Sequence, residues 1–263
     1  DNGHTVGFKA GSYNTYDEVV NKGFRIFSVD GPDSASVNFY GEWNISDTTG
    51  QNLSFEDVQI YNIQMQSSGH DSLIVLNSKF IGVNNDNLTI SSENVTFLNS
   101  EFTGSYIEIN ANQAINIHSS LLHNISSLSL NSVSTTVDSS EIYNNDQMYI
   151  VTSDTLSVSA INLQSNNYLN VTSAYSSWLD TEMIYNNDVI INGPANFFLL
   201  DYKYNTGPLY ITNATQVLID SALFEENEYG ALRIESTSNV LIENTVFNEN
   251  NMASLEMNNV IDA

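Results

Sequence analysis

Two stretches of the chain, 216-QVLIDSALFEEN-227 and 239-NVLIENTVFNEN-250, nearly repeat each other. Each contains two apolar positions two residues apart, a small polar residue, and then a Phe that precedes an Asn by three positions. Apolar residues two apart are typical of a strand with one buried face. Units that recur every 20 to 23 residues or so indicate a solenoid, in which each unit packs against its neighbours.

The same spacing extends upstream through most of the chain. The first predicted strand of each unit carries an inward apolar pair, and the second carries one inward residue after a bend. The pairs are Leu73 and Val75, Val95 and Phe97, Ile115 and Ile117, Thr135 and Val137, Leu156 and Val158, Ser177 and Leu179, Phe197 and Leu199, Val217 and Ile219, and Val240 and Ile242. The single residues are Phe80, Phe102, Leu122, Ile142, Leu163, Ile184, Tyr204, Phe224 and Phe247.

A third strand in each unit carries a further alternating pair, from Leu88 and Ile90 to Leu255 and Met257. Three short strands per coil with one turn of variable length predict an all-β, right-handed parallel β-helix of about 9 to 11 coils. Leucine-rich repeats would need a helical return, and propeller blades would need about 40 residues per unit.

Asparagine recurs three residues after the second-strand column. An inward Asn at a bend can bond the amide above and below it and tolerates left-handed backbone. We therefore expect an internal ladder of Asn145, Asn166, Asn187, Asn227 and Asn250. The other bend is predicted at the polar column of Asn77, Asn99, Ser119, Ser139, Thr181, Asp201, Ser221 and Asn244.

The N-terminal region does not follow the repeat pattern and contains helix signals instead. Thr15 to Glu18 is typical of a helix capping box and Gly23 of a helix stop, so a short capping helix is predicted before the first coil. We expect residues 1–35 to form this cap and residues 36–263 the β-helix. The C-terminal end then presents an open edge that continues into further coils or docks onto another subunit.

Charge narrows the choice of partners. Six Lys and Arg stand against 31 Asp and Glu, giving a net charge of −25. Such a chain repels phosphate backbones and anionic headgroups, so neither nucleic acid nor insertion of this segment into a membrane is expected. The absence of Cys excludes disulfides and thiolate sites.

Parallel β-helices also include polysaccharide lyases and glycoside hydrolases, and each class needs particular side chains. Lyases need basic residues to neutralise a uronate, and these are scarce here. Hydrolases need two carboxylates about 5 to 9.5 Å apart. Asp180, Asp220 and Glu243 form an outward column that could bind Ca²⁺, but a solvated face is the preferred explanation in a chain this acidic. We predict no catalytic residues, no required cofactor and no enzymatic activity, with a carbohydrate-active enzyme as the alternative.

Two sets of surface residues are candidates for modification or contact. The outward residues Trp178, Phe198, Leu218 and Leu241 form an apolar column that predicts an interface. The N-glycosylation sequons begin at Asn44, Asn52, Asn87, Asn94, Asn124, Asn170 and Asn213.

The segments Phe224–Asn227, Phe247–Asn250 and Gly230–Ile234 resemble the FxxN and GGA(I/L/V) repeats of the chlamydial polymorphic membrane proteins, although Gly-Gly is nowhere intact. Those proteins are β-helical surface adhesins, so the resemblance implies a surface location. We predict a non-catalytic structural or adhesive module of a cell-surface or filament-forming protein. Its expected partners are copies of itself, further solenoid domains, glycans or surface receptors.

Overall fold

The chain forms an all-β parallel solenoid of about 11 turns. The computed structural model describes residues 4–15, 18–20, 24–31, 34–39, 42–46, 52–61, 64–82 and 87–261. Over these ranges there is no helix of the length and apolar character that a membrane span requires. The predicted parallel β-helix is confirmed.

The chain divides into two compact units, Asp1–Val133 and Ser134–Ala263. The strands up to the division are β1 His4–Phe8, β2 Gly11–Thr15, β3 Glu18–Val20, β4 Phe24–Ser28, β5 Ala35–Phe39, β6 Glu42–Ser46, β7 Leu53–Glu56, β8 Val58–Tyr61, β9 Gln64–Leu76, β10 Lys79–Ile81, β11 Asn87–Leu98, β12 Glu101–His118 and β13 Leu121–Asp138, which contains residue 133. The strands of the second unit are β14 Glu141–Tyr143, β15 Gln147–Gln164, β16 Tyr168–Ile184, β17 Asp188–Asn192, β18 Ala195–Lys203, β19 Leu209–Thr212, β20 Val217–Asp220, β21 Leu223–Glu225, β22 Leu232–Glu235, β23 Val240–Glu243, β24 Val246–Asn248 and β25 Leu255–Asn258.

The core of the first unit consists of stacked apolar columns. Strand β9 pairs in parallel with β7 and β11, so that Val75 stands in register with Phe55 on one side and Phe97 on the other. All three side chains are buried. Phe80 stacks on Phe102 with ring centroids 5.1 Å apart. Each such side chain contributes roughly 1.5–3 kcal/mol when it is removed from water.

In the core of the second unit, the observed register differs from the predicted one in two coils. Trp178 and Phe197 are inward and stack with centroids 5.7 Å apart, whereas Leu179 and Leu199 are 47% and 55% exposed. On the second strand of these coils, the inward residues Met183 and Tyr202 stand in place of the predicted Ile184 and Tyr204. The prediction that Leu179 and Leu199 belong to the core is wrong, since both lie on the outside at or next to the bend.

The bend between the first and second strands explains this shift. In each coil of the second unit one residue there has positive φ, namely Ser139, Ala160, Asp180, Leu199, Ser221 and Asn244. Asp180 and Leu199 therefore take the bend positions that had been assigned to Thr181 and Asp201. A left-handed residue turns the strand, so the alternation of inward and outward side chains restarts after it.

An internal ladder of asparagines runs through the second unit. Each Asn side chain donates from Nδ2 to Oδ1 of the Asn one coil later, over distances of 2.8–3.2 Å, through Asn145, Asn166, Asn186, Asn205, Asn227 and Asn250. The prediction of Asn187 is wrong because its register followed Ile184. Asn187 is exposed and donates to Asn167 on the outer surface.

The predicted N-terminal helix is wrong where the chain is described. Glu18–Val20 form strand β3, which pairs in parallel with β6 and places Val19 opposite Asn44. A helix of seven residues or so is marginal on its own, and adjacent β-branched valines favour a strand. Residues 16–17 and 21–23 lie outside the described ranges. The division of the chain after residue 35 stays a prediction, although β2 pairs with β5 across it.

Candidate functional site

The outer face of the second strands in the second unit carries a row of carboxylates. Glu141 stands in register with Asn162, Asn162 with Glu182, and Glu182 with Asp201. Each of these residues directly precedes an inward core residue, so the alternation of the strand directs it outward. Neighbouring members of the row are about 4.8 Å apart, the spacing of paired strands. We call this row the acidic column.

The acidic column forms one side of an open groove of about 560 Å³. The other side is formed by Ala160, Asp180 and Leu199. They belong to the row of positive-φ residues at the bend between the first and second strands, which we call the bend column. Four carboxylates line the groove, those of Glu141, Asp180, Glu182 and Asp201. The groove is thus lined mainly by hydrogen-bonding groups.

One cation lies beside the acidic column. Lys203 Nζ is 3.0 Å from Asp201 Oδ2, and the Lys side chain is 21% exposed. This hydrogen bond, together with the charges of Asp201, Glu225 and Glu182, raises the pKa of Lys203 from its ordinary value. Lys203 therefore orients the side chain of Asp201 beside Glu182.

Asn162 has an unusual side-chain environment. Its Oδ1 is buried and finds no hydrogen-bond donor within the described part of the chain. A buried acceptor without a donor costs about 1–3 kcal/mol, and such atoms are rare in folded proteins. It lies in the acidic column between Glu141 and Glu182, so the groove wall contains one acceptor without a donor among three carboxylates.

The residues proposed for a metal ion do not come together. Asp220 and Glu243 are in register, but the residue next to Asp220 in the preceding coil is Phe198. Asp180 lies in the bend column, so it is not part of that row. No cluster of three or more His, Cys, Asp or Glu that could hold a metal occurs among the described residues.

The four residues of the predicted apolar interface do not all lie on the outer surface. Trp178 is 1% exposed and belongs to the core, which removes the largest member of the column. Phe198 and Leu218 are half-buried, and Leu241 is 50% exposed. The remaining residues do not form a continuous apolar strip of the predicted size.

The sequons lie in several environments. Asn52, Asn94, Asn124 and Asn213 are exposed, and Asn170 is half-buried. Asn124, within β13, and Asn213 both have positive φ, so the backbone bends at each of them. Asn44 and Asn87 lie in β6 and β11, and their side chains are outside the described part. Glycosylation stays a prediction.

The acidic column was missed because the register of the two coils around Trp178 was misassigned, which put Asp201 at a bend. A usable signal was present: an apolar residue followed three positions later by Asn recurs at Ile142, Leu163, Met183, Tyr202, Phe224 and Phe247. When the coils are aligned on these apolar residues, the position directly before them is occupied by Glu141, Asn162, Glu182 and Asp201 in four consecutive coils.

Three chains of solved structures match this fold. One is the A-module of mannuronan C-5 epimerase AlgE6 from Azotobacter vinelandii, with a TM-score of 0.58 and 11% identity over 99% of this chain and 91% of that one. Another is the A-module of AlgE4 from the same organism, with a TM-score of 0.51 and 13% identity over 97% and 88%. No family model and no curated protein matches.

These neighbours overturn the prediction that the chain is not an enzyme, because they are modules of carbohydrate-modifying enzymes that share the fold over nearly the whole chain. At 11% and 13% identity the likeness establishes the parallel β-helix and carries no activity by itself. The resemblance to polymorphic membrane proteins stays a prediction.

Proposed function

We propose that the chain is a carbohydrate-active β-helix module that hydrolyses a neutral polysaccharide at the acidic groove and acts outside the cell. The observation that carries the proposal is the register of β16 and β18, which places Glu182 and Asp201 side by side on the wall of an open groove. A pair of carboxylates at this spacing is what glycoside hydrolysis requires. The carbohydrate-modifying neighbours support the same class of substrate.

The charges favour a neutral substrate over a uronate. Mannuronan, the polymer after which both neighbouring epimerases are named, is a chain of uronate sugars, whose carboxylates four acidic side chains in the groove would repel. Most of the described cations are already paired with acids, as with Arg25 and Glu56, Lys79 and Glu101, and Lys203 and Asp201. A lyase reaction, which needs cations free to neutralise a uronate, is therefore disfavoured.

The proposed reaction assigns one role to each carboxyl group. Glu182 donates its proton to the glycosidic oxygen while Asp201 attacks the anomeric carbon, so that the bond to the leaving sugar breaks and a glycosyl ester forms. Water then attacks the same carbon, Glu182 accepts a proton from this water, and Asp201 leaves as a carboxylate. Carboxyl groups about 5–5.5 Å apart give retention of configuration. The spacing of adjacent coils, about 4.8 Å, favours this route.

The test is a screen for cleavage of galactomannan, arabinoxylan and hydroxyethyl cellulose, with alginate as the anionic comparator. We expect new reducing ends from at least one neutral polymer, and proton NMR of the first product to show retained anomeric configuration. Cleavage of alginate to an unsaturated uronate would overturn the hydrolase proposal, as would the absence of reducing ends from every neutral polymer.

A further inference from the structure

Two exposed tyrosines stack on each other at the far border of the face that carries the acidic column. The rings of Tyr185 and Tyr204 have centroids 5.3 Å apart and planes within 19° of each other. Their exposed fractions are 55% and 39%, so neither belongs to the core. They are adjacent members of the bend that follows the second strand, since Tyr185 N donates to the carbonyl of Lys203.

The backbone at this bend does not favour tyrosine. Tyr185 and Tyr204 have φ of 56° and 55°, in the left-handed region. The same bend in the flanking coils carries Ser165 and Glu226, also with positive φ. A bulky residue in this conformation is uncommon and costs of order 1–2 kcal/mol. Neither core packing nor turn geometry therefore accounts for two aromatic rings here.

The neighbours of the pair leave one ring face open. Ser165, which occupies the bend after the second strand in the coil before Tyr185, is too small to cover an aromatic ring. On the other side Glu226 lies near Tyr204, and its charge is the main cause that raises the pKa of the Tyr204 hydroxyl. Like any tyrosine hydroxyl near neutral pH, it can donate a hydrogen bond.

The pair is within reach of the groove along the same strands. Tyr185 follows Glu182 by three residues, which corresponds to about 10 Å of extended chain. Lys203, which is bonded to Asp201, directly precedes Tyr204. A polymer that lies along these strands would therefore contact the carboxylates and the rings together.

We propose that Tyr185 and Tyr204 form a sugar-stacking subsite that binds a neutral polysaccharide next to the acidic groove. Sugar rings present C–H faces that pack on aromatic rings, while their hydroxyls bond polar neighbours such as Lys203. This subsite rests on the proposed function, because its ligand is the polymer cleaved in the groove. It positions the polymer and takes no part in bond cleavage.

The experiment compares Tyr185→Ala, Tyr204→Ala and both Phe variants with wild type, using calorimetric binding of the neutral polymers and cleavage kinetics. Tyr175→Ala is the matched control, since Tyr175 is 41% exposed and lies outside this bend. We expect each Ala variant to weaken binding by about 5- to 150-fold, the loss that one aromatic stacking partner of roughly 1–3 kcal/mol represents. The Phe variants should bind within threefold or so of wild type, and kcat should change little.

The outcomes separate the subsite from the proposed activity. Ala variants that bind as tightly as Tyr175→Ala while wild type still cleaves the polymer would overturn the subsite and leave the hydrolase proposal intact. A wild-type protein that neither binds nor cleaves any neutral polymer would overturn both. Thermal unfolding of all variants in parallel shows whether a loss of binding follows from a loss of folding.

Discussion

The outward faces of the second strands differ in charge between the two units, although the side chains occupy equivalent positions in the coil. In the first unit Glu101 is 3.6 Å from Lys79 Nζ and 3.0 Å from His123 Nε2, so its carboxylate is matched by neighbouring groups. In the second unit Glu182, at the equivalent position before an inward core residue, stands between Asn162 and Asp201. The backbone is alike in both, so the outward side chains alone make one face neutral and the other acidic.

The largest expected effect compares the two equivalent glutamates. Glu182→Gln removes the proposed proton donor and should lower kcat/KM for the cleaved polymer by about 10²–10⁴-fold. Glu101→Gln makes the same chemical change on the face of the first unit and should leave kcat/KM within about twofold. Cleavage rates on one neutral polymer measure both.

Equal decreases in kcat/KM for the two variants would contradict the assignment of the active site to the second unit alone. An unchanged rate in Glu182→Gln would remove Glu182 from the reaction. Thermal unfolding serves as the control, and the two variants should unfold within a few degrees of wild type.

A smaller effect is expected from the cations of the two faces. Lys203→Met leaves Asp201 without its ion-pair partner and should lower kcat/KM by about fivefold, equivalent to roughly 1 kcal/mol for a partly exposed pair. Lys79→Met disturbs only the first unit and should leave kinetics unchanged. A larger loss from Lys79→Met than from Lys203→Met would contradict the assignment of the site to the second unit.

The smallest effect concerns stability in acid. In the first unit Arg25 donates from Nε to Glu56 at 2.9 Å, and this hydrogen bond holds the pKa of Glu56 below its ordinary value. A carboxyl with a depressed folded-state pKa stabilises the protein above its unfolded pKa, and this contribution is lost as pH falls through the folded value. Because the pair is partly exposed, the loss should stay below about 1 kcal/mol.

Glu56→Gln lacks this titration, so the difference in melting temperature between wild type and variant should shrink as pH falls from about 6 to 3, across the ordinary range of a Glu pKa. A difference that stays constant over this interval would show that the Arg25–Glu56 pair contributes no pH-dependent stability.

Much of the fold follows from the sequence because the inward columns recur with an almost constant spacing. Val75, Phe97 and Ile117 were placed correctly by alternation alone, and all are buried. The register failed where aliphatic residues occur on both faces: Leu179 and Leu199 are as hydrophobic as the core residues they were taken for. Hydrophobicity could not separate them, since the left-handed residue that resets the alternation has no fixed identity and is Asp180 in one coil and Leu199 in the next.

The candidate site could not be found by the same reasoning. Carboxylates are common throughout this acidic chain, so only their register shows which ones meet, and that register was wrong for Asp201. The burial of Asn162 Oδ1 depends on how neighbouring coils pack, which no spacing reveals. The N-terminal capping box was misleading for a related reason, because strand pairing between β3 and β6 outweighed a local helix signal.

The asparagine ladder has a mechanical consequence. Each rung is bonded to the coil ahead through its side chain and backbone, as where Asn205 donates to Asn227 and Asn186 donates to Asn205. Peeling one coil away therefore exposes the polar groups of the next rung before any new bonds replace them. When this unit is pulled from one end, each coil should therefore present a similar barrier to unfolding, and the coils should unfold one after another under force.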